Sequence, residues 1–141
     1  MTTEISKTKL NHMHRKAVQS QKLAHAPYSK YKVGAALMIK ETILAGCNVE
    51  NASFGATICA ERNAICSAVA CFGHKTVSKS AVGILVVTNE HPPAQPCALC
   101  LQVMAEFFSD EFPIYLATPK KIYSKLTLKD LLPKPFRHFK T

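Results

Sequence analysis

A chain of 141 residues with 48% hydrophobic and 19% charged residues can bury a hydrophobic core, and that composition excludes a disordered tail. No apolar run is long enough to span a bilayer, and the polar first 24 residues contain no secretory signal, so a soluble, cytoplasmic protein of one domain over residues 1–141 is expected, its six cysteines free or metal-bound rather than paired. The net charge of +9 is uneven: residues 1–40 hold eight Lys and Arg against one acid, residues 119–141 seven against one, and residues 41–118 three against seven, so the two basic ends read as a solvated surface and neither nucleic acid nor membrane is expected as a partner.

Residues 4–24 carry a loose helical stripe of Ile5, Leu10, Met13, Ala17, Val18 and Leu23, which Pro27-Tyr28-Ser29 ends. Val33 to Ile39 and Thr42 to Cys47 read as two strands joined by a short turn at Lys40-Glu41. Asn48 to Ile58 is a polar loop. Cys59 to Phe72 reads as an Ala-rich buried helix that Gly73 stops. Ala81 to Thr88 has the length and apolar continuity of a central strand, Asn89 to Pro96 is a proline-rich loop, and Cys97 to Ser109 is a second amphipathic helix. Phe112 to Ala117 and Ile122 to Leu126 read as strands, and Thr127 to Leu132 as a short helix before Pro133. Helices alternating with buried strands imply an α/β layered sheet.

Three segments carry chemistry. Cys97 and Cys100 stand three residues apart at a helix start, so both thiols face the same way, and the positive end of the helix favours thiolate. Cys59 opens the other helix after a loop and is the natural third ligand. Three thiolates leave one position of a tetrahedral zinc open, which marks a catalytic rather than a structural site. Glu61, two residues on, can move the proton of an activated water if the helix end is the floor of a cavity. Arg62 can return positive charge to a zinc surrounded by three thiolates. Cys66 lies about 10 Å along the helix from Cys59, too far for one zinc, so Cys66 and Cys71 are expected in the core. Cys47 is expected buried at a strand end, with a fourth-ligand role as the alternative.

Gly46-Cys47-Asn48-Val49-Glu50-Asn51, Ile58-Cys59-Ala60-Glu61-Arg62-Asn63-Ala64-Ile65 and Pro96-Cys97-Ala98-Leu99-Cys100 with Gln102 resemble the small, tetrameric type of cytidine deaminase. Pro27 to Leu37 and Leu131-Leu132-Pro133 extend the resemblance over about residues 25–136. It implies a three-layer α/β/α sandwich around a mixed five-stranded sheet. It also implies one Zn2+ per subunit on Cys59, Cys97 and Cys100, and hydrolytic deamination of cytidine and 2′-deoxycytidine in pyrimidine salvage. By the same resemblance Glu61 is catalytic and holds the pyrimidine, Asn48 and Glu50 hold the ribose hydroxyls, and the backbone near Ala60 contacts the base. Tyr31, with Tyr28 and Phe54, lines the pocket or the subunit contact, and Phe136 covers the ring from a neighbouring subunit of a homotetramer. The i, i+2 spacing of Asn48 and Glu50 aims both to one side of an extended chain. The sequence departs from the family pattern P-C-G-A-C-R-Q at Ala98, Leu99 and Leu101, which leaves Arg62 as the cation beside the thiolates. Three other readings compete: a deaminase of another aminonucleoside or nucleotide, a polynucleotide deaminase, and a structural zinc module with Cys47 as fourth ligand.

Overall fold

The computed structural model describes residues 4–139. Helix α1 (Lys7–Lys22) starts at Ser6, whose side chain accepts from the Lys9 N–H, and is followed by strands β1 (Gly34–Ile39) and β2 (Thr42–Cys47). Helices α2 (Ala60–Phe72) and α3 (His74–Ser80) lead to β3 (Ala81–Val87). The chain ends with α4 (Ala98–Phe107), β4 (Pro113–Ala117), β5 (Ile122–Thr127) and α5 (Leu128–Leu131). All five strands join one sheet in the order β2-β1-β3-β4-β5, with β3 and β4 parallel and the other pairs antiparallel.

The pleat sorts the core into two layers. Leu37, Ile84, Val86, Ile114 and Leu116 face α2, α4 and α5, while Ala36, Met38, Leu85, Val87 and Tyr115 face Met13 and Ala17 of α1. The expected three-layer α/β/α sandwich with a mixed five-stranded sheet is what forms. Near-continuous apolar sequence in β1, β3 and β4 follows from burial on both faces. Among the described residues no helix is long and apolar enough to cross a membrane.

Four local expectations change. The first helix ends at Lys22, which leaves Leu23 80% exposed, while the polar Gln21 is buried and donates to Lys32 O (3.0 Å) and Asn89 Oδ1 (3.2 Å). Residues 74–80 form α3, a two-turn helix with a single buried side chain, Val77, too little apolar periodicity to read from sequence. Cys66 and Cys71 lie on the solvent side of α2 rather than in the core. The basic tail is docked: the Arg137 guanidinium donates to Ala105 O and Phe108 O at the end of α4 and pairs with Asp110 at 2.6 Å.

Candidate active site

Gly34, at the start of β1, pairs with Cys47 at the end of β2 and with Val87 at the end of β3. One end of the sheet therefore delivers three connections to the same place: Tyr31–Val33, Asn48–Glu50 and the loop beginning at Thr88. The 48–58 loop closes on itself through reciprocal Val49–Ile58 backbone hydrogen bonds of 2.9 and 3.0 Å, an antiparallel register that sets Glu50 across from Thr57 and Asn48 across from Cys59. Gly46 lets β2 lie against the first turn of α2, since a Cβ there would stand 2.5 Å from Ala60 O and 2.7 Å from Ala64 N.

A cavity of about 380 Å³ opens at this end of the sheet. Tyr31, Asn48, Glu50, Cys59, Ala60, Glu61 and Cys97 line it, together with Thr88, Ala94 and Gln95. Cys59 and Cys97 are the N-cap residues of α2 and α4, so two positive helix ends meet there, and Cys100 is the third residue of α4. Cys59 Sγ is 3.8 Å from Cys97 Sγ, Cys97 Sγ is 3.5 Å from Cys100 Sγ, and all three sulfurs lie within 4.8 Å of one another. Zn–S bonds of about 2.3 Å in a tetrahedron separate sulfurs by about 3.8 Å, so the triad fits zinc. Cys47 is not part of this cluster; its carbonyl takes the Asn63 side chain at 3.0 Å.

The thiols are unequal. A hydrogen bond from Cys100, with help from Arg62 and Cys97, lowers the Cys59 pKa to about 5 against the opposing effect of burial. The same hydrogen bond, burial and the charge of Glu61 push the Cys100 thiol up. Three close thiols cannot all ionise without a cation among them, which is the demand zinc meets. Arg62 Nη2 divides itself between Thr57 O (3.0 Å) and Cys59 Sγ (3.7 Å), and its buried Nε has no partner among the described residues. Glu61 is 4% exposed, and burial first, then the Cys59 charge, raises its pKa.

At the mouth, Glu50 Oε2 accepts from the Tyr28 and Ser29 N–H groups (2.9 and 3.2 Å) while Oε1 accepts from the Ser29 hydroxyl. The Ser29 hydroxyl bond, before all else, holds the Glu50 carboxyl below the usual glutamate range. A carboxylate has about four acceptor sites, so one remains on Oε1. Asn48 is 8% exposed and ties Tyr31 to Val33, accepting from Val33 N at 2.8 Å and donating to Tyr31 O at 2.7 Å. One of its N–H groups remains for a ligand. Phe136 is 64% exposed and outside the cavity lining, its carbonyl held by Gln102 at 2.6 Å. Tyr28 and Phe54 meet edge to face, 5.8 Å between centroids, beside Glu50. Sequence reasoning missed Ser29, Thr57 and Arg137, for hydrogen bonds to residues 5 to 32 positions away leave no local pattern.

The pattern described as the cytidine and deoxycytidylate deaminase zinc-binding region matches residues 7–116. The cytidine deaminase of Halalkalibacterium halodurans is 37% identical over 123 residues, 86% of this chain and 89% of that protein. The crystal structure of the Burkholderia pseudomallei cytidine deaminase superposes with a TM-score of 0.84 at 35% identity, covering 94% of this chain and all of the other. The Mycobacterium tuberculosis cytidine deaminase superposes at 0.72 with 32% identity, covering 90% and 96%. A zinc-ready thiol triad beside a buried carboxyl, on this sheet, is thus matched over nearly the whole chain, and the chain belongs to the cytidine and deoxycytidylate deaminase family.

Proposed function

We propose that the chain, acting as one domain, hydrolyses cytidine and 2′-deoxycytidine to uridine and 2′-deoxyuridine, with zinc held by Cys59, Cys97 and Cys100. The observation that carries this reading is the buried Glu61 carboxyl and the three thiols in one cavity whose rim holds the Glu50 carboxylate. Bound zinc supplies the Lewis acidity that makes water nucleophilic near neutral pH.

Glu61 moves the protons. Water attacks C4 of the cytosine ring; its first proton passes through Glu61 to N3 and stays there, and its second passes to the exocyclic amine, which leaves as ammonia. A raised pKa suits this task, because the group must both take and give a proton near neutrality. Arg62 donates toward Cys59 and limits the negative charge that three thiolates bring together. The Ala60 backbone, at the start of α2, borders the base. Tyr31, whose pKa burial raises, stays a neutral hydroxyl on the cavity wall. The free acceptor site of Glu50 and the free N–H of Asn48 receive sugar hydroxyls, and the ionised Glu50 repels a phosphate, which selects nucleosides over nucleotides.

Phe136 covers the pyrimidine of a neighbouring subunit in a homotetramer, in keeping with the exposure of Phe54, Leu99 and Phe136 in the single chain. The enzyme is cytoplasmic and serves pyrimidine salvage. The test is an absorbance assay with equimolar zinc on cytidine, 2′-deoxycytidine and cytidine monophosphate. Turnover of the two nucleosides with little of the monophosphate is expected. Preference for the monophosphate would overturn the role given to Glu50.

A further inference from the structure

The two basic ends of the sequence meet in the fold. A second cleft, of about 510 Å³, lies between α1 and β5 and is larger than the active-site cavity. Lys7 stands on α1, Lys120 and Lys121 on the turn after β4, and Lys125 on β5; all four line this cleft and are exposed. Among the described residues no Asp or Glu lines it. Glu4, whose charge acts on the Tyr115 hydroxyl, lies outside the lining. The ion pairs among the described residues are Lys9–Glu41 and Arg137–Asp110, so none of the four ammoniums is neutralised there.

Two of the four are positioned by aromatic rings. Lys121 Nζ stands 4.6 Å from the Tyr123 centroid and Lys125 Nζ 5.9 Å from that of Tyr115. A ring face holds an ammonium without using up its three N–H donors. We infer that this cleft binds a ligand bearing linked phosphates, of the size of a nucleoside triphosphate. Four like charges in one concavity repel one another, and the complement that removes the repulsion is a compact multivalent anion. The volume lies in the range of small-ligand sites, whereas a polynucleotide needs a groove that continues past one residue cluster. Tyr123 also meets His91 edge to face at 5.2 Å, and the loop of His91 carries Ala94 and Gln95 into the active-site cavity. The cleft is therefore one aromatic contact from the chemistry, although none of its residues takes part in it.

The probes are inorganic triphosphate, adenosine triphosphate and a short oligouridylate, titrated calorimetrically into the zinc-loaded protein at physiological salt. Two triple variants are compared: Lys120→Gln, Lys121→Gln, Lys125→Gln in the cleft, and Lys22→Gln, Lys75→Gln, Lys134→Gln outside it, which lose the same charge. Cytidine turnover at the wild-type level verifies that each variant is folded. The cleft variant is expected to lose about tenfold or more in triphosphate affinity while the control changes by about twofold or less. Tighter binding of adenosine triphosphate than of inorganic triphosphate identifies a nucleotide, and equal binding identifies the polyphosphate group itself; both sustain the inference. Equal losses in the two variants, binding by the oligouridylate alone, or no binding by any probe would overturn it.

Discussion

At the scale of single residues, burial and hydrogen bonding assign opposite ionisation to two glutamates at the same site. Glu61 sits in the interior beside a thiolate, and its pKa rises; Glu50 sits at the rim under three donors, and its pKa falls. Glu61→Gln keeps the size and polarity of the side chain and removes its proton chemistry. It is expected to retain one zinc per chain and lose about 10²–10⁴-fold in kcat, measured by metal analysis and steady-state rates. For Glu50 the sign follows from linkage. A folded pKa below the ordinary glutamate value means that the ionised form is favoured, a contribution present above that ordinary value and lost as pH falls through the folded pKa. Removing the Ser29 hydroxyl takes away the largest cause of the shift. In Ser29→Ala the acid-side rise of KM for cytidine therefore begins at higher pH than in the wild type. Superimposable KM–pH profiles would show that Glu50 does not hold the sugar.

Elements, rather than loops, aim the three clustered thiols. Cys59 and Cys97 cap two helices, and the third residue of α4 supplies Cys100, so the triad depends on where α2 and α4 begin. The start of α2 is in turn pressed against β2 at Gly46. A methyl at Gly46 must displace the Ala60 carbonyl or the Ala64 amide, neither of which is the end of a flexible side chain. Gly46→Ala is expected to lower stability by about 1–3 kcal/mol and to weaken zinc retention during dialysis against a chelator. Chemical denaturation and metal analysis read the two effects separately. A variant as stable as the wild type, with unchanged zinc retention, would mean that α2 is not seated by this contact.

The whole molecule raises the question of surface. Phe54 is 75% exposed, Leu99 63% and Phe136 64%, which is much apolar area for a 15.5 kDa protein to leave in water. Light scattering is expected to give a mass near four chains, and truncation after Pro135 to raise KM while zinc content stays the same. A fully active species with the mass of one chain would remove any part for a neighbour's Phe136. Charge acts at this scale too, since the basic ends, which look like two separate solvated segments in sequence, line one cleft.

The amino-acid sequence alone determined the chemistry and the architecture: three cysteines and a glutamate at two helix starts, five apolar segments of strand length, and helices between them. These are local signals, set by the 3.6-residue and two-residue periods of the backbone and by the chemistry of a thiolate at a helix end. Tertiary structure decided which segments meet. The packing of α2 and α4 on the sheet brought Cys59 within 3.8 Å of Cys97, 38 residues away, and the connections gathered at one end of the sheet set Ser29 on Glu50 across 21. It also decided which sides of α2 face water, and so left Cys66 and Cys71 exposed where the sequence suggested core. The bonds of Asn48 have the same origin, because its side chain bridges the strap from Tyr31 to Val33 that β1 pairing brings into reach. Contacts of this kind are specified by packing between distant elements, and no spacing within one segment encodes them.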